Sequence, residues 1–433
     1  MNPDAFIQKI EDRSAAVGVI GLGYVGLPLA MTFCRKGFRV IGFDIDTEKC
    51  DSLNSGTSYI SYIHDDEIRA LQDFTATDDF SRIPEPDAVL ICVPTPLSPD
   101  KEPDMQYIVS TVDSIGPYIR QGQLISLEST TYPGTTEEIV VRKLEEMSGL
   151  KAGEDVFISY SPERQDPNNR EFTTESIPKV VGGYTSQCLR AAAALYRAVI
   201  HKVHEVSGTA VAEAAKLMEN IFRSVNIALV NELKVIFEKM DIDIWEVIEA
   251  AKTKPFGFMP FYPGPGWGGH CIPIDPFYLA WKAREHGTAA QFIELAGEIN
   301  RAMPRYVADK VREALGTKGK EVKGSALLLI GMAYKPDVDD LRESSSLRLM
   351  EMFESCGAQV DFHDPYIPVI HETREYPRFA GRKSVHLEKA GQYDCVIIAT
   401  NHSDIDYRKV TETADLVVDT RNVCPKADNV IKA

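Results

Sequence analysis

The 433-residue sequence has no run of about 18 consecutive apolar residues, the length typical of a membrane-spanning helix. Its first residues, MNPDAFIQKIEDRSAA, carry charges where a signal peptide needs an apolar core. Basic residues are also scarce, because 47 of them face 64 acidic ones, for a formal net charge of -17. This balance disfavours nucleic acid and anionic membranes as partners. We therefore expect a cytoplasmic protein.

CxxC spacing is also missing among the eight cysteines, which argues against a zinc site and, at this length, against a disulfide framework. No metal is expected. Cys271 lies in PFYPGPGWGGHCIPIDPFYL, a run of Gly and Pro that forms neither helix nor ordinary strand. A structural cysteine usually packs on an apolar stripe, so Cys271 is a candidate for chemistry. The adjacent His270 would point away from it in an extended backbone and is assigned no role.

Two similar segments mark the two ends of the chain. Residues 16–44, AVGVIGLGYVGLPLAMTFCRKGFRVIGFD, show a strand, a glycine-rich turn, a helix and a second strand, and residues 325–364 show the same order. The pattern predicts an α/β fold with two Rossmann-like, doubly wound parallel-sheet domains, whose ligands bind beyond the carboxyl ends of the strands.

The region between these domains has helical periodicity. Residues 208–239 contain no proline and predict one long helix, and shorter helical patterns follow from about 275 to 316. We expect domains at 1–204 and 316–433, joined by a helical region at 205–315. The apolar excess of that region fits either an internal core or a dimer face, and a homodimer or higher homo-oligomer is expected.

The turn GLGYVG has the GxGxxG pattern of a dinucleotide site, and it follows a strand and opens a helix. Asp44, which ends the next strand, can accept hydrogen bonds from both ribose hydroxyls and would repel a 2′-phosphate, so NAD is favoured over NADP. The alternative is a merely tight turn between strand and helix. The candidate cofactor residues of the turn are Gly21, Gly23, Tyr24, Val25 and Gly26.

Further candidate residues follow other predicted strands. VPTP (Val93, Pro94, Thr95) and ESTTYPGTT (Ser129, Thr130) would line the cofactor crevice, although ordinary turn and cap roles explain them equally well. SPER presents Glu163 and Arg164, for which an exposed salt bridge is the alternative. Lys216, Asn220 and Arg223 share one face of the long helix, which fits either a site or a solvated polar face. The loops of the second domain supply cations for a polyanion, namely Lys335, Arg342 and Arg421.

These motifs occur in a fixed order: GLGYVGLPLA, VPTP, STTYPGTT, SPER, KLMEN, GPGWGGHCIPIDP, YKPDVDDLRESSS and DTRN. Together they resemble the UDP-glucose/GDP-mannose dehydrogenase family over essentially the whole chain. The forms SPERQDPNN and FYPGPGWGGHCIPIDPFYLAWKA look most like the bacterial branch that oxidises UDP-N-acetyl-D-glucosamine for surface polysaccharides such as the lipopolysaccharide O-antigen.

The resemblance implies a role for each matching residue. Cys271 is the implied nucleophile, Asp275 and Lys216 share proton handling and oxyanion stabilisation, and Glu163 directs water in hydrolysis. Asn220 helps to bind the sugar, and Thr130 contacts the cofactor and an ordered water. Lys49 and Arg342 are implied NAD contacts. The implied contacts of the nucleotide sugar are Glu163, Arg164, Lys216, Asn220, Arg223, Tyr262, Gly266, Gly268, Tyr334, Lys335 and Arg421.

Two departures from the UDP-glucose pattern bear on the substrate. Pro167 stands where UDP-glucose enzymes often carry a second glutamate, and TKPFGFMPFYPG has no clear counterpart of their arginine that reaches a neighbouring subunit. Both weaken the case for UDP-glucose and leave room for an acyl substituent on the sugar. UDP-N-acetylglucosamine is the expected substrate, with the N-acetylmannosamine, N-acetylgalactosamine and glucose nucleotides as alternatives.

Three functions remain distinguishable. Conversion of a primary alcohol to an acid removes four electrons, and a cysteine can hold the intermediate aldehyde as a thiohemiacetal and then as a thioester. A two-electron hydroxyacid dehydrogenase would share the first domain but have no use for Cys271. A non-catalytic nucleotide sensor would have no reason to keep Cys271, Lys216 and Glu163 together.

Overall fold

The computed structural model describes residues 2–60, 62–98, 102–164, 173–269 and 271–433. The chain forms two compact units. The first comprises Met1–Glu219 and Phe277–Thr288, and the second comprises Asn220–Pro276 and Ala289–Ala433. His270 and Pro167 lie outside the described residues. No helix in the described part of the chain is long and apolar enough to cross a membrane.

The secondary structure alternates between strands and helices through most of each unit. The strands are β1 Ala16–Ile20, β2 Arg39–Phe43, β3 Phe74–Thr77, β4 Ala88–Ile91, β5 Leu124–Leu127, β6 Phe157–Tyr160, β7 Lys179–Gly183, β8 Val203–Val206, β9 Ala326–Ile330, β10 Gln359–His363, β11 Cys395–Ile398, β12 Val417–Asp419 and β13 Val430–Lys432. The helices are α1 Asp4–Glu11, α2 Gly26–Arg35, α3 Thr47–Asn54, α4 Asp65–Arg69, α5 Gln106–Ile115, α6 Arg142–Ser148, α7 Ser186–Arg197, α8 Thr209–Glu238, α9 Ile244–Ala251, α10 Asp275–Glu285, α11 Gln291–Thr317, α12 Ser345–Ser355 and α13 Tyr407–Thr413.

The first unit is built on an eight-stranded sheet with the order β3-β2-β1-β4-β5-β6-β7-β8. Neighbouring strands are parallel except for the antiparallel pair β6 and β7. Strands β1, β4, β5 and β6 are buried along their whole length, as expected when helices cover both faces of a parallel sheet. The strand order reverses between β1 and β4, so the loops after these strands flank the crevice in which doubly wound folds bind ligands.

The second unit contains a five-stranded parallel sheet with the order β10-β9-β11-β12-β13. Here the order reverses between β9 and β11, and the motifs YKPD and NHSD follow these two strands. The α/β fold with two doubly wound parallel sheets is therefore confirmed. The long helix predicted at 208–239 is confirmed as α8.

The two units repeat the same backbone hydrogen bonds at equivalent places. Gly21 N–H donates to Phe43 O and Gly331 N–H donates to His363 O, both at the end of the first strand of a βαβ segment. At the amino-terminal ends of the strands, the Asp87 carboxylate accepts from Ala16 N–H at 3.1 Å. In the second unit, the Asp394 carboxylate accepts from Ala326 N–H at 2.7 Å. The sequence repeat is thus a structural repeat down to single hydrogen bonds.

Candidate active site

The GxGxxG turn has the geometry of a phosphate-binding turn. Gly21 has a φ of 88°, and a Cβ there would meet Cys92 O at 2.8 Å, so only glycine fits. Gly26 begins α2, whose N-terminus favours negative charge. The Asp44 carboxylate is buried beside the turn and accepts from Leu22 N–H at 2.8 Å. Lys49 Nζ lies 3.9 Å from the same carboxylate. These residues fit an NAD.

The other predicted cofactor loops of the first unit are held in place by specific contacts. Ser129 Oγ donates to Val93 O at 2.7 Å, which ties the loops after β5 and β4 together. Tyr278 on α10 donates to the carbonyls of Thr95 and Pro96. Pro94 and Tyr24 are exposed, whereas Gly23, Val25 and Thr130 are half-buried. Val93, Thr95 and Ser129 therefore belong to one connected rim beside the GxGxxG turn.

Glu163 follows β6 and lies at the end of a buried polar network. Its Oε2 is 3.4 Å from Lys179 Nζ, and its Oε1 accepts from Arg164 N–H at 2.8 Å. Lys179 Nζ also donates to Glu128 Oε2 at 2.6 Å. Burial alone would lower the pKa of Lys179, but the carboxylates of Glu128 and Glu163 raise it, so the ammonium stays charged. The carboxylate of Glu163 thus faces a permanent buried cation.

Arg164 forms an ion pair, which is the alternative to a role in the site. Its Nη2 lies 2.6 Å from a Glu219 carboxylate oxygen, and its Nη1 donates to Pro178 O at 2.6 Å. The guanidinium is therefore engaged within the first unit. Lys216, on the same helix as Glu219, is buried although it is a lysine. Burial of a lysine is uncommon for a surface residue and is typical of an internal polar site.

Cys271 lies in the turn that leads into α10. Its carbonyl accepts from Ile274 N–H at 3.1 Å and from Asp275 N–H at 2.8 Å. Asp275 is buried and accepts a hydrogen bond from the side-chain amide of Asn220, which in turn accepts from Arg223. The second unit thus connects Arg223, Asn220 and Asp275, three residues predicted from two separate motifs.

The glycine-rich loop before Cys271 packs tightly on the YKPDVDDLRESSS segment. A Cβ on Gly268 would meet Tyr334 Cβ at 2.7 Å, and a Cβ on Gly269 would meet the Tyr334 ring at the same distance. Gly269 N–H donates to Arg342 O at 2.9 Å. Gly266 has a φ of 127°, which side chains rarely adopt. The glycines therefore let one loop lie directly on the other.

A buried amide pair fixes the start of the same loop. Asn231 Oδ1 accepts from Gly264 N–H at 3.0 Å, and Asn231 Nδ2 donates to Asn300 Oδ1 at 2.7 Å. The Arg421 guanidinium packs against Gly264, donates to Ala399 O at 2.7 Å, and has its pKa lowered to about 10 by burial. Sequence reasoning missed both asparagines. The available signal was Asn231 within the apolar run ALVNELKV.

The remaining predicted substrate residues are spread along the second unit. Tyr262 stacks on Trp245 at 5.7 Å between ring centroids and donates to Glu249. Lys335 Nζ lies 5.8 Å from the centroid of the Tyr334 ring. Arg342 pairs with Asp340 at 2.6 Å.

The second unit holds its YKPD loop through a buried histidine that sequence reasoning missed. His402 Nδ1 accepts from Asp337 N–H at 3.0 Å, so Nε2 carries the proton and donates to Asp364. Asp337, Glu343 and Asn422 adopt positive φ values in the loops after β9 and β12. Non-glycine residues in this region concentrate at functional loops. Within the described residues, no cluster of three or more His, Cys, Asp or Glu side chains could hold a metal ion.

The NAD binding, central and UDP binding domains of the UDP-glucose/GDP-mannose dehydrogenase family match residues 15–200, 210–302 and 328–426. A UDP-N-acetyl-D-glucosamine 6-dehydrogenase from Pseudomonas aeruginosa is 38% identical over 90% of this chain and 92% of its own length.

Solved structures give the same result. A UDP-D-ManNAc dehydrogenase from Pyrococcus horikoshii has a TM-score of 0.86 at 30% identity, covering 96% of this chain and 98% of its own. A UDP-glucose dehydrogenase from Pyrobaculum islandicum has a TM-score of 0.85 at 27% identity, covering 96% of both chains. The matched domains include the NAD binding domain and the UDP binding domain of the family. The chain belongs to the UDP-glucose/GDP-mannose dehydrogenase family and is an NAD-dependent UDP-sugar dehydrogenase, an oxidoreductase.

Proposed function

We propose that the enzyme oxidises the C6 hydroxyl of UDP-N-acetylglucosamine to the uronic acid, with Cys271 as the covalent nucleophile, for surface-polysaccharide synthesis. The observation that carries the chemistry is the linkage of Cys271 to Asp275 through one turn, and of Asp275 to Asn220 through a buried hydrogen bond. In the proposed domain division, residues 1–204 bind NAD, residues 205–315 carry Cys271 and a dimer face, and residues 316–433 bind the UDP-sugar.

The proposed mechanism assigns one task to each polar group. The GxGxxG turn and Asp44 would hold the NAD, which would supply the hydride acceptor for each of the two oxidations. Asp275 and Lys216 share the first oxidation: the Asp275 carboxylate takes up the proton of the C6 hydroxyl, and the Lys216 ammonium stabilises the developing oxyanion, because a buried ammonium is a strong electrostatic partner for an alkoxide. The thiol of Cys271 adds to the resulting aldehyde, so the second oxidation yields a thioester on the same sulfur. Holding the sulfur on a rigid loop supplies the close approach that this addition needs.

Hydrolysis of the thioester completes the reaction. Glu163 accepts a proton from water, the water oxygen adds to the thioester carbonyl, and the bond from carbon to sulfur breaks. Thr130 helps to place the water. We assign binding of the uridine diphosphate to backbone of the glycine-rich loop and to Lys335 and Arg421, with Arg342 at the NAD.

The N-acetyl preference rests on the sequence departures at Pro167 and in TKPFGFMPFYPG and on the relatives. The Pseudomonas aeruginosa relative is named for UDP-N-acetylglucosamine, whereas the two structural neighbours are named for other UDP-sugars at nearly equal TM-scores. Fold similarity therefore does not discriminate between sugars. If UDP-glucose only loses an apolar contact in the pocket, its kcat/KM should be lower on the order of 10–200-fold. If the site hydrogen-bonds the acetamide, the difference in kcat/KM should be larger.

The test combines stoichiometry with a substrate panel. Purified enzyme is mixed with NAD and one of four UDP-sugars, carrying glucose, N-acetylglucosamine, N-acetylgalactosamine or N-acetylmannosamine, and NADH absorbance is followed to completion. We expect two NADH per UDP-N-acetylglucosamine and the highest kcat/KM for that sugar. One NADH per sugar would indicate a two-electron dehydrogenase, and no turnover would favour a nucleotide sensor. A higher kcat/KM for another UDP-sugar would contradict only the substrate assignment.

A further inference from the structure

The buried polar network next to Glu163 contains more groups than an ion pair with this one carboxylate would need. Lys179 is the first residue of β7 and is 4% exposed, and Glu128 follows β5 and is 1% exposed. Glu128 accepts from the hydroxyl of Tyr196, which is 2.8 Å from Ser126 Oγ. Buried ion pairs pay a large desolvation cost and are weak evidence for stability, so retention of this one calls for another explanation.

The geometry gives Lys179 two different carboxylate partners. Its ammonium donates to Glu128 at 2.6 Å and to Pro162 O at 3.3 Å, and it lies 3.4 Å from Glu163. Glu128 is completely buried, whereas the side chain of Glu163 keeps 13% of its surface exposed. Glu128 therefore fixes the position of the Lys179 ammonium. The ammonium also lies beside Glu163, the more exposed of its two carboxylate partners.

We propose that Lys179 is a positioning residue for thioester hydrolysis: anchored by Glu128, its ammonium orients the Glu163 carboxylate and keeps it ionised as the proton acceptor. This inference rests on the proposed function and extends it to residues outside the assigned site. The step itself balances, because water gives one proton to Glu163 and its oxygen to the acyl carbon, the carbon–sulfur bond breaks, and the departing thiolate recovers a proton. Lys179 touches neither substrate nor NAD in this scheme.

The charges around Glu163 determine the expected pH dependence. The groups that interact with its carboxylate include Lys179, Glu128 and the Cys92 thiol, together with the Arg164 backbone N–H. Lys179 is the cation that favours the ionised form, and Glu128 competes for that cation. Removing the cation should move the acid limb of hydrolysis to higher pH. Removing only the charge of Glu128 should move it to lower pH.

The main variant is the double substitution Lys179→Met with Glu128→Gln, which removes both charges of the buried Lys179–Glu128 pair and keeps an acceptor for the Tyr196 hydroxyl. Rapid mixing with NAD and UDP-N-acetylglucosamine separates the two hydride transfers, seen as an NADH burst, from the hydrolysis-limited steady state. We expect the burst to persist, the steady state to fall on the order of 10- to 100-fold, and the sugar adduct on Cys271 to accumulate in intact-protein mass spectra.

The control removes a more exposed ion pair at the amino-terminal end of β4 in the same sheet. Lys9 pairs with Asp87 at 2.8 Å where β4 begins, so Lys9→Met with Asp87→Asn perturbs the domain without approaching Glu163. The control should change Tm but leave the burst, the adduct level and the acid limb as in the wild type. The single variant Glu128→Gln keeps the test decisive if the double variant does not fold, because it predicts an acid limb shifted to lower pH.

Two results would overturn the inference. One is a double variant whose burst and steady state fall together and in which no sugar adduct accumulates on Cys271, which would assign Lys179 a purely structural role. The other is an acid limb that Glu128→Gln leaves unchanged. A wild-type enzyme that releases one NADH per sugar has no thioester to hydrolyse, and that result would reject the proposed function together with this inference.

Discussion

Asp44 and Asp364 end equivalent strands of the two sheets, but their carboxylates have different bonding capacity left. Asp44 accepts from the backbone N–H groups of Leu22 and Asp46. Asp364 is more heavily engaged, and its donors are the N–H groups of Met332, Ala333, Tyr366 and Ile367 and the ring of His402. A carboxylate offers about four lone-pair sites, so Asp364 has no place for ribose hydroxyls while Asp44 has. The hydrogen bonds that one carboxylate already accepts thus distinguish the dinucleotide site from the equivalent position in the second unit.

Changing Asp44→Asn should narrow the preference for NAD over NADP. The amide keeps the shape and one acceptor oxygen but removes the charge that repels a 2′-phosphate, and a change of about 1.4 kcal/mol would alter the kcat/KM ratio about tenfold. The ratio is measured with both cofactors at saturating UDP-sugar. Asp364→Asn is the matched control, because it should lower stability by about 1–3 kcal/mol and leave the ratio unchanged. Equal ratios for wild type and Asp44→Asn would reject the role of Asp44.

Substitution of Cys271 tests the covalent chemistry directly. Cys271→Ala should abolish net acid formation while NAD and UDP-sugar still bind, because the glycine-rich backbone and the cations of the second unit supply that binding. Cys271→Ser keeps the shape with a weaker nucleophile and should accumulate a sugar adduct slowly, visible by intact-protein mass spectrometry. Production of uronic acid by Cys271→Ala at the wild-type rate would return Cys271 to a packing role.

At the scale of elements, the sequence predicted what local periodicity and turn chemistry control. The βαβ repeats and the helix at 208–239 follow from apolar spacing and glycine positions, and the structure confirms both. The antiparallel pairing of β6 and β7 and the π-helical turn at Thr136–Val141 were missed, because they depend on contacts between segments distant in sequence. Lys179, Asn231 and His402 were missed for the same reason. The sequence around each of them gives no sign of a role, because its partners are distant in sequence and become neighbours only in the fold.

The contact between the glycine-rich loop and the YKPD segment provides a test at this scale. In Gly268→Ala, the new Cβ would lie 2.7 Å from Tyr334 Cβ and 3.0 Å from Glu343 O, so one loop must move. Overpacking of this kind costs about 1–3 kcal/mol, and we expect a raised KM for the UDP-sugar with an unchanged KM for NAD.

A second glycine serves as the control for this variant. Gly316 lies within α11 and a Cβ there would meet no atom within 4 Å, so Gly316→Ala should leave both KM values unchanged and stabilise the helix by up to about 1 kcal/mol. Unchanged KM values in Gly268→Ala would mean that the loop contact does not shape the substrate site.

For the whole molecule, the unassigned feature is a stripe of exposed apolar side chains along α8. Phe222, Leu229 and Ile236 follow one another at intervals of seven residues on α8 and are each 45% or more exposed. Such a row of exposed apolar side chains is uncommon on a monomer, because exposed apolar surface is costly, and it marks an interaction face. We propose that a second copy of the chain covers it, since one straight helical face can pair with itself about a two-fold axis.

Ile236→Glu should convert the proposed dimer into a monomer. Under two-fold symmetry the substitution places two new carboxylates in one apolar interface, where neither has a partner, so association weakens while the folded chain, in which Ile236 is 45% exposed, is little affected. Sedimentation velocity measures the mass, and circular dichroism checks the fold. Val369→Glu introduces the same charge at a side chain that is 41% exposed outside α8, and it should leave the mass unchanged. If Ile236→Glu stays dimeric, or if the wild type is a monomer at micromolar concentration, α8 is not the interface and its apolar stripe requires another partner.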